Sequence, residues 1–279
     1  MKIHLLETGN FMLDGGAMYG VVPKSLWSKV YPANENNLCN LSLRCMLVET
    51  GNRLILFNAG IGNKHDEKFL RHYYLNGNDT LEGSLKKAGY TKQDITDVIL
   101  THLHFDHCGG ATEFNEQKEG YRITFPNATY RVSRRQWEWM LNPNRREKAS
   151  YLKENTEPIE KSGKLDLFED NFQPVPEITL RLYDGHSAGM AVPLVKYNGK
   201  TVVYITDFLP TKAHIPLSWI CGFDTQPLVS LKEHEQFLNE ALQNNYVIVF
   251  EHDAFTVCCR IEMTEKGIRG SDDLKFSEI

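Results

Sequence analysis

The sequence predicts an α/β fold, with strands and helices mixed throughout, and three observations predict it. Strand-like runs of apolar and β-branched residues recur along the chain, and two pairs of them are closed by Gly-Asn or Asn-Gly turns. Apolar residues at helical spacing lie between such runs, most plainly in SLKEHEQFLNEALQNN at 230–245. Four strand-like runs each end on a histidine or an aspartate. That placement lets the polar side chains converge at a sheet edge while the strands stay rigid.

The elements follow in chain order. LSLRCMLVE (41–49) and RLILF (53–57) flank Gly51-Asn52 and predict a hairpin. Asp79 is placed to cap the helical stretch TLEGSLKKAG. DVILT (97–101) predicts a strand leading into His102. From Arg134 to Gly163 the pattern is two short helices separated by Asn142-Pro143. ITLRLYDG (178–185) leads into His186. VPLVKY and KTVVYIT flank Asn198-Gly199, a second hairpin with the same turn chemistry, and its second strand leads into Asp207. After the 230–245 helix, YVIVFE (246–251) leads into His252.

The 279 residues suffice for a sizeable core, and 41% hydrophobic with 24% charged residues is ordinary for a globular enzyme. The formal net charge is -5 and no Lys/Arg block appears, which argues against a nucleic-acid partner. No run of 18 apolar residues occurs, so no membrane span is expected. MKIHLLETGN lacks the features of a secretory signal. The cysteines, Cys39, Cys45, Cys108, Cys221, Cys258 and Cys259, have no CxxC spacing and no disulfide pattern. A cytoplasmic, reduced protein is the expectation.

One stretch carries the chemistry. THLHFDHCGG (101–110) places three of the chain's 10 histidines and one aspartate in six positions. Neutral imidazole and carboxylate are good ligands for Zn²⁺, Fe or Mn. His102 and His104 stand two apart, so on an extended segment they face the same way and can hold one ion. Asp106 and His107 follow on a turn that Gly109 and Gly110 allow to be tight, and can hold a second. His186 can complete the first site, His252 the second, and Asp207 can bridge them. Such a set leaves room for a bridging water made nucleophilic at neutral pH, so no serine or cysteine nucleophile is required.

The H-x-H-x-D-H run, with His186, Asp207 and His252 following in order, resembles the signature of the metallo-β-lactamase superfamily. The resemblance covers roughly residues 40 to 255. It implies an αββα four-layer sandwich, two packed mixed sheets with helices outside, as a single domain over residues 1–279. It also implies two divalent metal ions, zinc first, with Fe or Mn as alternatives. An aspartate at 207 rather than a cysteine points to the hydrolases of the superfamily. DGGAMYGVVPKSLW (14–27) and THLHFDHCGG look most like the N-acyl-homoserine-lactone lactonases and methyl-parathion-hydrolase-like enzymes. In those enzymes the N-terminal loop lies near the substrate entrance.

Two positions depart from the family pattern. Well-known lactonases carry a tyrosine three residues beyond the bridging aspartate, where this chain has Pro210. Many relatives have an aspartate where this chain has Asn58, within LFNAG. An asparagine keeps a hydrogen-bonding group there but loses a charge.

Other residues present choices. His214, a few residues after Asp207, either donates a proton to the substrate or packs its loop. Trp137, Trp139 and Met140 either pack against the sheets or wall the site. Met18, Tyr19 and Trp27 pose the same choice, or a dimer contact. Cys108 reads as a small buried filler, Asp253 as a carboxylate outside the ligand set, and His4, His65, His72 and His234 as exposed or structural.

The expectation is a dinuclear metallohydrolase acting on a small-molecule substrate, with no nucleic acid and no membrane as partner, and with a homodimer as a candidate assembly. A metal-bound hydroxide attacks an ester-type carbonyl, a lactone first, with Asp106 and Asp207 holding the ions and the hydroxide. A phosphotriester, a phosphodiester or a glyoxalase II-like thioester can use the same machinery. A flavodiiron-like redox protein and a non-catalytic metal-binding protein are the readings from other classes.

Overall fold

The computed structural model describes residues Met1–Ile279. The chain divides into two compact units, one of Met1–Gly9 with Leu43–Asp170, the other of Asn10–Ser42 with Asn171–Ile279. Mixed sheets and helices make up both, as the α/β reading requires.

In the first unit the sheet runs in the order Lys2–Asp14, Leu38–Thr50, Arg53–Phe57, Asp97–Ile99, Thr129–Ser133, Leu165–Phe168. Its first two strands enter the unit with their residues up to Gly9 and from Leu43. Arg53–Phe57 pairs antiparallel with Leu38–Thr50 on one side and parallel with Asp97–Ile99 on the other. Leu54 to Phe57 are all buried, which suits a strand of continuous apolar residues. Leu54, Leu56, Val98 and Tyr130 pack with Leu85, Trp137 and Ile159, contributed by the helices Leu81–Lys87, Arg134–Leu141 and Lys153–Lys161. Side chains of this size contribute about 1.5–3 kcal/mol each when fully buried.

The second unit carries a seven-stranded sheet in the order Gly267–Leu274, Cys258–Thr264, Val247–Val249, Lys200–Tyr204, Met190–Tyr197, Ile178–Tyr183, Phe172–Val175. Helix Pro227–Gln243 lays Phe237, Leu238 and Ala241 into a core with Val203, Ile248 and Cys259. No helix is long and apolar enough to cross a membrane.

Several local expectations are corrected. Both hairpins form with two-residue loops, closing on Thr50↔Arg53 and Tyr197↔Lys200. Their turns differ, however. Asn198 and Gly199 both have positive φ (49° and 72°), the type I′ pattern. In the first turn only Gly51 does (57°), the type II′ pattern with glycine first. Thr80, not Asp79, caps the Leu81–Lys87 helix, its hydroxyl accepting from Gly83 N at 3.1 Å. Asp79 pairs with Lys87 instead. Gly109 has an ordinary helical φ of -56°. What excludes a side chain there is crowding: a Cβ on Gly109 would stand 2.2 Å from Ile61 O, and one on Gly110 2.1 Å from Ala59 O. Backbone bonds from Ala59 N to His107 O (2.8 Å) and from Gly110 N to Gly60 O (2.9 Å) tie the same two segments.

Asp97, buried on a central strand, takes the guanidinium groups of Arg53 and Arg131. Burial alone would raise its pKa, but Arg53, Thr96 and Arg131 outweigh it and hold the carboxyl below its usual value. Asp97→Asn is expected to destabilise the protein by about 3 kcal/mol in urea unfolding, because Arg53 and Arg131 lose the buried carboxylate they share. The wild-type advantage is complete above the ordinary carboxyl pKa and fades as pH falls through the lower folded value. Gly110→Ala is expected to cost about 2 kcal/mol in the same assay through the clash with Ala59 O. A neutral result for either would contradict the packing described.

Candidate metal-ligating residues

In the first unit, the parallel pairing of Arg53–Phe57 with Asp97–Ile99 continues one residue further, Asn58 N donating to Ile99 O at 3.0 Å. Beyond the strand ends, His102, His104, Asp106 and His107 are all buried. His102 and His104 precede the short helix Phe105–Cys108, with His104 at its N-cap, and the helix carries Asp106 and His107. His102 Nε2 and His104 Nδ1 stand 3.1 Å apart. Two nitrogens at about 2.0–2.1 Å from one tetrahedral zinc would be roughly 3.3 Å apart, so the pair fits a shared ion. The rings of His102 and His107 lie 4.0 Å apart, and His107 Nε2 is 3.4 Å from Asp106 Oδ2.

In the second unit, His186, Asp207 and His252 are likewise buried. Asp207 turns one oxygen to each histidine, Oδ2 to His186 Nε2 at 3.2 Å and Oδ1 to His252 Nε2 at 2.9 Å. A carboxylate held between two imidazoles in this way is suited to share two cations. Burial alone would lower the pKa of His186, but Asp207 and Asp224 more than reverse it and push it up to about 10. A cation bound there displaces that proton.

Each ring has its other nitrogen engaged. His104 Nε2 meets Glu147 Oε1 at 2.8 Å. The same buried carboxylate accepts from Tyr151 OH (2.5 Å), Trp139 Nε1 (2.7 Å) and Asn144 Nδ2 (3.1 Å), two donors on each oxygen. His186 Nδ1 meets Asp224 Oδ1 at 3.0 Å, and Ser230 Oγ donates to the other oxygen of Asp224. His252 Nδ1 donates to Ser42 O at 2.8 Å. His102 Nδ1 meets Thr101 Oγ1 at 3.3 Å, and that hydroxyl donates to Asn58 Oδ1 at 3.0 Å. His107 Nδ1 meets Asn58 Nδ2 at 3.1 Å. Such partners fix the tautomer and aim of a ligand ring. Glu147, Asp224 and Ser42 were not legible as site residues. They lie 43, 38 and 210 positions from their histidines, in stretches without a motif.

The remaining candidates resolve by contact. His214 is buried, with Nδ1 at 2.8 Å from Thr211 Oγ1 and Nε2 at 3.0 Å from Met18 O. Its ring stacks on Tyr19 at 4.7 Å, and Tyr19 stacks on Trp27 at 5.0 Å. Both nitrogens are thus engaged within the second unit, the geometry of loop packing. Met18, Tyr19 and Trp27 are buried side chains rather than an exposed wall or dimer contact. Trp137 joins the first unit's core, while Trp139 serves Glu147. Cys108 is buried, its thiol pushed up to about 12 by burial. Asp253 accepts from the backbone of Lys212, Phe255 and Thr256. His65 and His234 are buried in packing positions.

Comparison with known proteins agrees with this geometry. The family model described as the metallo-beta-lactamase superfamily matches residues 43–259. An N-acyl homoserine lactonase of Bacillus cereus is 25% identical over 267 residues, covering 90% of this chain and 93% of its own. The crystal structure of a probable metal-dependent hydrolase from Staphylococcus aureus superposes with a TM-score of 0.88 at 35% identity, covering 98% of this chain and 96% of that one. A dizinc quorum-quenching lactonase with bound product shares the fold, at a TM-score of 0.78 and 21% identity, over 98% of this chain and 95% of that one. With its H-x-H-x-D-H run inside the matched segment, the chain belongs to the metallo-beta-lactamase superfamily and is a metallo-hydrolase of that superfamily.

Proposed function

We propose that the protein is a dinuclear lactonase. In this reading His102, His104, Asp106, His107, His186, Asp207 and His252 are the metal ligands. Residues 1–279 then act as one catalytic domain on a small-molecule substrate. Zinc is the metal proposed, since five imidazoles and two carboxylates suit it, though iron and manganese accept the same donors. The observation that carries the two-ion reading is Asp207, whose oxygens address His186 and His252 separately. The lactone is favoured by the similarity to the Bacillus cereus lactonase along nine-tenths of the chain.

When bound, divalent ions lower the pKa of coordinated water and polarise a carbonyl oxygen. The chain supplies the rest. Asp106 and Asp207 add two negative charges to a set of neutral rings, balancing part of the ionic charge. Glu147 and Asp224 hold His104 and His186 in one orientation, so the donors need little reorganisation. Burial of all seven side chains limits competing water. His214, with both nitrogens engaged, is left out of proton transfer to the leaving group.

The test is hydrolysis by metal-loaded protein across acyl-homoserine lactones, aryl esters, S-lactoylglutathione, paraoxon and bis-p-nitrophenyl phosphate, beside Asp106→Asn. Lactone turnover is expected to lead and to fall more than about 100-fold in the variant, since even outer partners of a metal ligand cost 10–100-fold. Preference for a phosphorus ester or the thioester would replace the lactone reading. No turnover with two ions bound would overturn it and make an iron and flavin absorption spectrum the next measurement.

A further inference from the structure

We infer that Asn58 makes the two metal positions unequal, leaving the ion on the Asp106–His107 side the weaker and more exchangeable one. This rests on the two-ion reading above. It follows from which groups back each ring.

The acceptor at Asn58 is identified without reference to the ring. Thr101 N is a backbone N–H and can only donate, and it stands 2.9 Å from Asn58 Oδ1. Thr101 Oγ1 donates to the same oxygen at 3.0 Å. The amide oxygen is therefore committed to Thr101. The amide NH₂ is what remains for His107, 3.1 Å from Nδ1. A donor facing Nδ1 makes that nitrogen the acceptor and sends the ring proton to Nε2. That is the nitrogen facing the other donors, 3.4 Å from Asp106 Oδ2. To bind an ion through Nε2, the proton must leave or move to Nδ1, where it would confront the amide N–H. Turning the amide over repairs that contact but sets its NH₂ against Thr101 N.

The other rings have the opposite arrangement. Glu147 accepts from His104, Asp224 from His186, and the Ser42 carbonyl from His252. Thr101 Oγ1 spends its own proton on Asn58, so it accepts from His102. Each of these draws the proton of a neutral ring outward and leaves a lone pair on the inner nitrogen. Two of the acceptors, Glu147 and Asp224, are carboxylates. Both serve histidines assigned to the first ion, so the asymmetry has two sources.

Asn58→Asp is close to isosteric. Its carboxylate can accept from Thr101 with one oxygen and from a His107 Nδ1–H with the other. The experiment titrates metal-free wild type and Asn58→Asp with Zn²⁺ against a chromophoric chelator and reads the tautomer of His107 by ¹⁵N–¹H NMR before metal is added. In wild type the second Zn²⁺ is expected to bind at least about 10-fold more weakly than the first, and His107 to carry its proton on Nε2. In Asn58→Asp the second ion is expected to tighten by about 10–100-fold while the first changes little, the usual scale for an outer partner of a metal ligand. Glu147→Gln should instead weaken the first ion and narrow the gap. Equal affinities in wild type, an unchanged gap in Asn58→Asp, or a proton on His107 Nδ1 would overturn the inference. A protein that binds no Zn²⁺ at all fails the two-ion reading itself, and the tautomer, read without metal, still decides the role of Asn58.

Discussion

A buried imidazole has two nitrogens and no water to satisfy either, and the rest of the site depends on that constraint. One nitrogen must find a protein partner before the other can act as a ligand, and the partner's character decides where the proton sits. All five histidines of the proposed site obey it. The partners come from a strand-end residue, a backbone carbonyl, a threonine hydroxyl and two carboxylates. The surrounding elements are positioned to deliver them. The parallel strand pair sets Asn58 beside Thr101, and the close approach of Ala59–Ile61 to Gly109–Gly110 holds the loop that carries Asp106 and His107.

The ligand candidates were legible in the sequence because their signal is local. H-x-H-x-D-H occupies six positions, and His186, Asp207 and His252 each follow an apolar run that forms a strand. The hairpins and the 230–245 helix were legible for the same reason: turn residues and apolar spacing act over a few residues. The partners behind the ligands were not. Glu147 sits among charged residues in NPNRREK and looks like a solvated side chain until folding buries it beneath four donors. Asp224 and Ser42 are equally plain. Asn58 was visible as a departure from the family pattern, but its direction of donation depends on Thr101, which only the strand pairing brings alongside.

The misread details have separate causes. Asp79 and Thr80 are both good capping residues, and choosing between them depends on which one adopts the extended conformation before the helix. Gly109 and Gly110 looked like turn glycines, yet backbone crowding from a segment fifty residues earlier is what requires them. The strand Lys2–Asp14 carries no clear strand signal in the sequence, since its burial alternates only loosely along the run.

All six cysteines are free and buried. Cys45 and Cys108 lie in the core of the first unit and Cys259 in the core of the second. Burial pushes Cys108 and Cys259 up to about 12, so almost no thiolate is present in the folded protein at neutral pH. Reaction with an alkylating mass tag must then wait for local opening. The order in which these sulfurs are captured would show which unit opens first, a built-in clock that needs no engineered label.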